Sequence, residues 1–290
     1  MVSTTKFLEE SFLSMTPRSL VFLFILGIIC STKMITAVTI TAVDAGELVS
    51  ITARYQQQTS QESPRFHRLH QVEQLPIPQV AVIVCDMWDS HHSISALRRM
   101  NELAPRVSQL INHLRSQGAV IIHAPSSCMA FYDNHSARKR VGELAAAANY
   151  PEGIGHWCES IAGEDQTAFP LERSANGEDD DATELLLWRA QLASLGRNPQ
   201  APWLSQMEMI EIVPSVDFIS DSGMEIWNIL EAKKITHILM LGVHANGSIL
   251  GGPFGLRRWV TAGKKVFLVR DLTDAMYSHI DWPHTNHFSA

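Results

Sequence analysis

Five apolar runs stand out along the chain, and their periodicity separates strands from helices. "VAVIV", Val80 to Val84, is continuously apolar and leads into acid at Asp86. A short run without alternation reads as a strand buried on both faces. "AVIIHAPSS" repeats the pattern and ends its strand at His123, while "MIEIV", "HILMLGV" and "KVFLVRD" supply three more. Between the first two strands, Leu103, Val107, Leu110, Ile111 and Leu114 recur at helical spacing, and Gly118 closes the stripe. Further helices are expected over "SARKRVGELAAAAN", "ATELLLWRAQLASL" and "DSGMEIWNILEAKK". From Glu47 to about Gln74 the chain is largely polar, with one short strand, "LVSITARY", followed by "QQQTSQESP" as a loop. Strands alternating with helices define an α/β fold with a mainly parallel sheet and helices on both faces. Ligands of such sheets sit beyond the carboxyl ends of the strands. Asp86, His123 and Ser248 all fall at those ends.

The first 45 residues stand apart. Lys6 and Arg18 precede "LVFLFILGIIC", Leu20 to Cys30, a run that fits the core of a signal peptide and is short for a membrane span. Met34 to Val43 is also apolar, which leaves an uncleaved anchor over residues 20–43 as the alternative to cleavage near Ala45. The expectation is an exported or anchored protein: a signal or anchor at 1–45, then one domain over 46–290. That domain carries an irregular acidic insertion at about 150–203.

The net charge of -7 argues against nucleic acid as a partner and leaves a small molecule as the expected one. Contact with a membrane is expected only through the N-terminal segment, and a homo-oligomer stays open. Beyond the leader, Cys85, Cys128 and Cys158 form no disulfide framework and show no paired-cysteine metal spacing. A Cys128–Cys158 bridge and unpaired thiols are the two alternatives.

Asp86 follows an apolar run, so its carboxyl group is expected in a partly dry setting that raises its pKa and suits a general acid or base. Capping of the next turn is the structural alternative. "DMWDSHH" places Asp89, His91 and His92 nearby. A divalent metal there would need Asp89, His91 and His123 together; otherwise these are hydrogen-bonded or exposed loop side chains. No cofactor is expected. Cys128, five residues past His123, is either a displaced nucleophile or a packed thiol. "GEDDDATE" reads as a solvated turn whose acids favour the start of the following helix.

"VIVCDMWD", "IIHAPS", "ISDSGMEIWNIL", "LMLGVHANGSILGGPFGLR" and "VRDLTDAMY" together resemble the isochorismatase-like superfamily, the cysteine hydrolase group that includes nicotinamidases. The likeness runs from about residue 50 to 288 and is greatest for a secreted-type bacterial subfamily. It implies a three-layer α/β/α fold in which an Asp, a Lys and a Cys hydrolyse amides, while members without the Cys cleave a vinyl ether. On this resemblance Asp86 is the catalytic Asp, His244 follows a cis peptide, and Ser248 stands where the nucleophilic Cys belongs. Trp88, His123, His244, Ala245, Asn246 and Gly247 are then expected around the substrate. The lysine should fall near Val213, where "MIEIVPSVDF" offers none. The resemblance implies a C-terminal helix past "HF", and with the sequence stopping at Ala290 that helix is expected to be missing. A serine needs a dedicated base that a thiol does not. Three readings follow: water-based hydrolysis through Asp86, a degenerate binding module, and a serine-nucleophile hydrolase. A helix starting near Ile249 is expected to aim its N–H groups at position 248.

Overall fold

A computed structural model describes residues 47–61, 63, 65–162 and 180–276. The leader, the first part of the acidic run and the C-terminal segment lie outside the described residues. The polar stretch before Val80 is a long hairpin: Leu48–Gln58 (β1) pairs antiparallel with Phe66–Pro76 (β2), Leu48 opposite Pro76 and Gln58 opposite Phe66. The second strand and the extent of the first escape a reading for apolar runs. Only scattered positions such as Val49, Ile51 and Leu69 are shielded, and most of the others are exposed, many of them polar.

The main sheet is parallel in the order β5–β4–β3–β6–β7. Its strands are Val80–Cys85 (β3), Val120–Ala124 (β4), Phe218–Ile219 (β5), His237–Gly242 (β6) and Lys265–Thr273 (β7). Central β3 alternates between two cores. Val80, Val82 and Val84 meet Met100, Ala104, Val107, Ile111 and Leu114 of the helix Ile94–Ser116 (α1) on one face. Ala81, Ile83 and Cys85 meet Ile226, Trp227, Ile229 and Leu230 of a later helix on the other. This explains the unbroken apolar run: both parities are buried, so no polar alternation appears. Ser136–Gly142 (α2) is shorter than expected, Ala182–Ser194 (α3) matches its prediction, and Gly223–Ala232 (α4) and Leu256–Thr261 (α5) complete the helices. The α/β fold with helices on both sheet faces is therefore as the pattern predicted.

"MIEIV" is not a strand. Val213 donates its N–H to the carboxylate of Asp217 (2.7 Å) and accepts from the Val216 and Asp217 amides, which turns the chain before Phe218. The strand is the two residues after that turn. The acids before α3 act as the sequence suggested: Asp181 caps the Thr183 and Glu184 amides, and Glu184 pairs with Arg98. Asp180 accepts from the Ser95 amide at the start of α1 (2.7 Å). No described helix is long and apolar enough to cross a membrane.

Candidate active site

β3 and β6 are neighbours, with Cys85 opposite Gly242, so the residues that follow each strand meet at one edge. Gly242 has a φ of 111°, and a Cβ there would fall 2.0 Å from the Cys85 carbonyl oxygen. Only glycine allows the two strand ends to approach this closely. Beyond it the Val243–His244 peptide bond is cis, and Ala245–Ile249 forms a single π-helical turn carrying Ser248. The expected helix near Ile249 is present only as a short turn through Leu250 and Gly251. Gly252 closes it by donating to the Ser248 carbonyl (3.0 Å), the chain then bends through Pro253–Gly255, and α5 begins at Leu256. Ser248 therefore lacks the dipole of a full helix behind it.

Asp86 is fully buried with a left-handed backbone, φ 52°. Its Oδ1 accepts the Ser126 N–H (2.8 Å), while Oδ2 is buried without a hydrogen-bond partner. Burial pushes its pKa up to about 6, against the opposing influence of Ser126 and then of the Ser248 hydroxyl and the Cys85 thiol, which lie beside it. No basic side chain figures among these influences. The structure thus brings Asp86 and Ser248 together, as strand-end positions on adjacent strands should be.

The other predicted residues divide. Trp88 lines the same loop, donates its Nε1–H to the Ser126 carbonyl (3.2 Å) and stacks on Trp203 at 4.2 Å between ring centroids. His244 Nε2 lies 2.9 Å from His91 Nε2. The Ser93 amide donates to His91 Nδ1 (3.0 Å), so His91 carries its proton on Nε2 and donates it to His244. Burial, followed by the neighbouring His92, holds His91 down to a pKa of about 3, which keeps His91 neutral. Ala245 and Asn246 help secure the turn. The Ala245 amide donates to the Asp274 carbonyl, and both ends of the Asn246 side chain bond the Met276 backbone. The Gly247 amide is used within the turn, by the His244 carbonyl.

His123 leaves the site altogether. It is fully buried, with Nδ1 on Gln206 Oε1 (3.0 Å) and Nε2 on Asp217 Oδ2 (3.2 Å), and Asp217 also takes a two-pronged pair from Arg115. Asp89 is likewise structural, accepting from the Leu204 amide and pairing with Arg197 at 2.8 Å. The three residues that a metal would need are thus each engaged elsewhere. Among the described residues no three His, Cys, Asp or Glu side chains converge to hold one. Cys85, Cys128 and Cys158 are buried free thiols. Burial, then the charges of Asp89, Asp86 and Asp221, pushes Cys128 up to about 12, so it is not an activated nucleophile.

Two contributors escaped the sequence reading. Ser126 follows β4 directly, within the quoted "APSS", and its position at a strand end was the available signal. Trp203 reaches Trp88 from the insertion, held there by the Asp89 contacts to Arg197 and Leu204, and nothing local marks it.

The site so built is a carboxyl-edge acid on a parallel α/β sheet, beside a hydroxyl on the turn that follows the neighbouring strand. No protein-family model matches the sequence, and no curated protein is similar to it. Among solved structures it is similar to an isochorismatase family protein from Burkholderia thailandensis: 13% identity, TM-score 0.35, 68% of this chain and 79% of that one covered. It is similar also to a cysteine hydrolase from Pseudomonas syringae pv. phaseolicola 1448A: 15% identity, TM-score 0.36, 70% and 75% covered. A third is an isochorismatase family protein from Desulfovibrio vulgaris subsp. vulgaris str. Hildenborough: 12% identity, TM-score 0.36, 71% and 87% covered.

Proposed function

We propose that the protein is an isochorismatase-like hydrolase of a small molecule, of amide or vinyl-ether type. Asp86 acts as its general acid or base, on water and without a covalent intermediate. The observation that carries this reading is the state of Asp86, fully buried, with one oxygen uncommitted and a pKa of about 6. A carboxyl group that titrates near neutrality can both hold and release a proton in one cycle. Ser248 then positions the substrate or water beside that oxygen. An attacking alkoxide at Ser248 would need a dedicated base beside it, and among the described residues no basic side chain figures among the influences on Asp86.

The test screens small amides and vinyl ethers for turnover and then compares two variants. Asp86→Asn removes turnover, whereas Ser248→Ala keeps it within about tenfold, because it removes a positioning hydroxyl and not the proton carrier. Loss in both variants would establish a serine nucleophile instead. A second reading, a binding module without turnover, draws on the occupied amides of the turn at Ala245 and Gly247, which leave fewer donors for a developing oxyanion. Saturable binding with no hydrolysis of any substrate that binds selects that reading.

Ser248→Cys checks the same geometry from another side. A thiol placed beside the Asp86 carboxylate, with no full helix behind it, is expected to ionise above an ordinary cysteine. Alkylation at pH 7 should run about tenfold slower than for a free thiol and recover when Asp86→Asn is added. Fast alkylation in the single variant would show that the turn stabilises an anion by itself.

A further inference from the structure

Residues 151–158 lead into the acidic insertion and lie against the turn that carries Ser248. Their backbone is clamped. The Cys158 amide donates to the Gly251 carbonyl (2.8 Å). Three successive carbonyls accept from α5: His156 from Arg258 Nε (2.9 Å), Trp157 from Arg258 Nη2 (2.7 Å) and Cys158 from Arg257 Nη1 (3.0 Å). On this fixed backbone the Trp157 indole stays outside the core, 56% exposed. Its distance from the site follows from the packing at Gly251, where a Cβ would lie 3.8 Å from the benzo ring of Trp157. Gly252 closes a helical turn onto Ser248, so Ser248 and Gly251, three residues apart, are side-chain neighbours. Positions so spaced lie roughly 5–6 Å apart, which puts the indole within about 10 Å of the Ser248 side chain. The start of α4 meets the same place, since a Cβ at Gly223 would collide with the Pro253 carbonyl and the Gly155 nitrogen. Met224, the next residue, is 46% exposed, with Cγ 3.3 Å from where a Gly155 Cβ would stand. Just before α4, Asp221 accepts the Ser127 amide (3.0 Å), beside the Ser126 amide that binds Asp86. Ser127, Asp221, Met224 and Trp157 thus follow one another around the strand ends that hold Asp86 and Ser248.

We propose that Trp157 and Met224 determine specificity at this site, receiving an uncharged apolar ring that the substrate carries a few bonds beyond the group hydrolysed at Asp86. Both stand outside the strand ends, so they meet the distal part of a substrate and not the bond that breaks. An indole offers a broad flat face, and a thioether adapts to the ring placed on it. The backbone under Trp157 is already fixed by the bonds to Gly251, Arg257 and Arg258, so little freedom is lost when a ligand covers the indole. Asp221 gives the rim a negative charge, which disfavours an anionic group on that ring. The inference deepens the hydrolase reading and rests on it for the reaction, but not for the binding contact.

The test titrates the full chain with butanamide and with phenylbutanamide and reads the ligand NMR signals. The ring is expected to tighten binding about tenfold. Trp157→Ala should remove that gain while butanamide binds as before. Trp157→Phe should keep most of it, and Met224→Ala should lower it about threefold. If Trp157→Ala loses the fold, Trp157→Gln takes its place with the same expectation. A gain that survives loss of the indole overturns the proposal, and so does equal binding of the two amides by wild type. Equal weakening of both amides in Trp157→Ala also overturns it, since that marks a structural role. A wild type that is dimeric and a Trp157→Ala variant that is monomeric would overturn it in favour of an interface between copies. Amides that bind with the full gain from the ring but are never hydrolysed count against the hydrolase reading alone and support the rim. Binding of neither amide overturns both.

Discussion

Asp86→Asn is expected to lower turnover by about a thousandfold and, at pH 8, to make the protein more stable. The two effects share one cause. Asp86 is buried with Oδ2 unpartnered, and burial raises its pKa from 3.8 to about 6. Its folded pKa lies above its unfolded one, so between about pH 4 and 6 the native state holds a proton that the unfolded chain has released. Stability from this group is complete below about pH 4 and is lost as pH rises through about 6. The loss is about 3 kcal/mol for a shift of this size. Asparagine keeps the acceptor for the Ser126 amide and never carries the charge. Its amide brings a donor that needs a partner, which offsets part of the gain, leaving about 2 kcal/mol at pH 8, or several degrees in Tm. The measurement is thermal unfolding of both proteins from pH 4 to 8. A gap that opens as pH rises supports the assignment, and curves that stay parallel would show that Asp86 is not held as an uncompensated buried acid. Loss of activity together with gain of stability is the mark of a group retained for chemistry.

Much of this architecture was legible before any coordinates. β3, β4, β6 and β7 announce themselves because a strand flanked by two cores has few polar positions to interrupt its run. β5 escaped for the opposite reason: only Phe218 and Ile219 pair, and the louder apolar run at "MIEIV" is bent into a turn by the Asp217 carboxylate. The hairpin escaped because a ribbon exposed on one whole face has too few shielded residues to show a period. At the site, strand-end position found Asp86 and Ser248 but misplaced His123. Parity decides the difference. His123 lies opposite Val84, whose side chain enters the core under α1, so the histidine turns down into that layer instead of up to the rim. The bonds by which Ala245 and Asn246 brace the turn were not legible, because their partners, Asp274 and Met276, come from the chain after β7. Position along a strand says where a residue lies; its neighbours across the sheet say which way it points.

His123 belongs instead to a buried polar chain whose centre is Asp217, and Asp217→Asn should cost about 3 kcal/mol of stability at pH 7. Asp217 is 1% exposed and receives Arg115 at 2.7 Å, His123 at 3.2 Å and the Val213 amide at 2.7 Å. Burial alone would raise its pKa, but the bonds to His123, Arg115 and Val213 outweigh that, and it lies below the ordinary carboxylate value. An amide in its place keeps the shape but leaves Arg115, only 12% exposed, without its counter-charge. For a domain of this size the loss corresponds to a fall in Tm of roughly 6–12 °C. The pH dependence has the opposite sign to that of Asp86. A depressed pKa gives stability that is present above the unfolded value and is lost as pH falls through the folded one. Wild type and Asp217→Asn should therefore differ most at neutral pH and converge in acid. Ligand binding per folded molecule should be unchanged, since the network touches neither Asp86 nor Ser248. A variant within about 1 kcal/mol of wild type at pH 7 would mean that the Arg115–Asp217–His123 chain does not hold β4, β5 and α1 together.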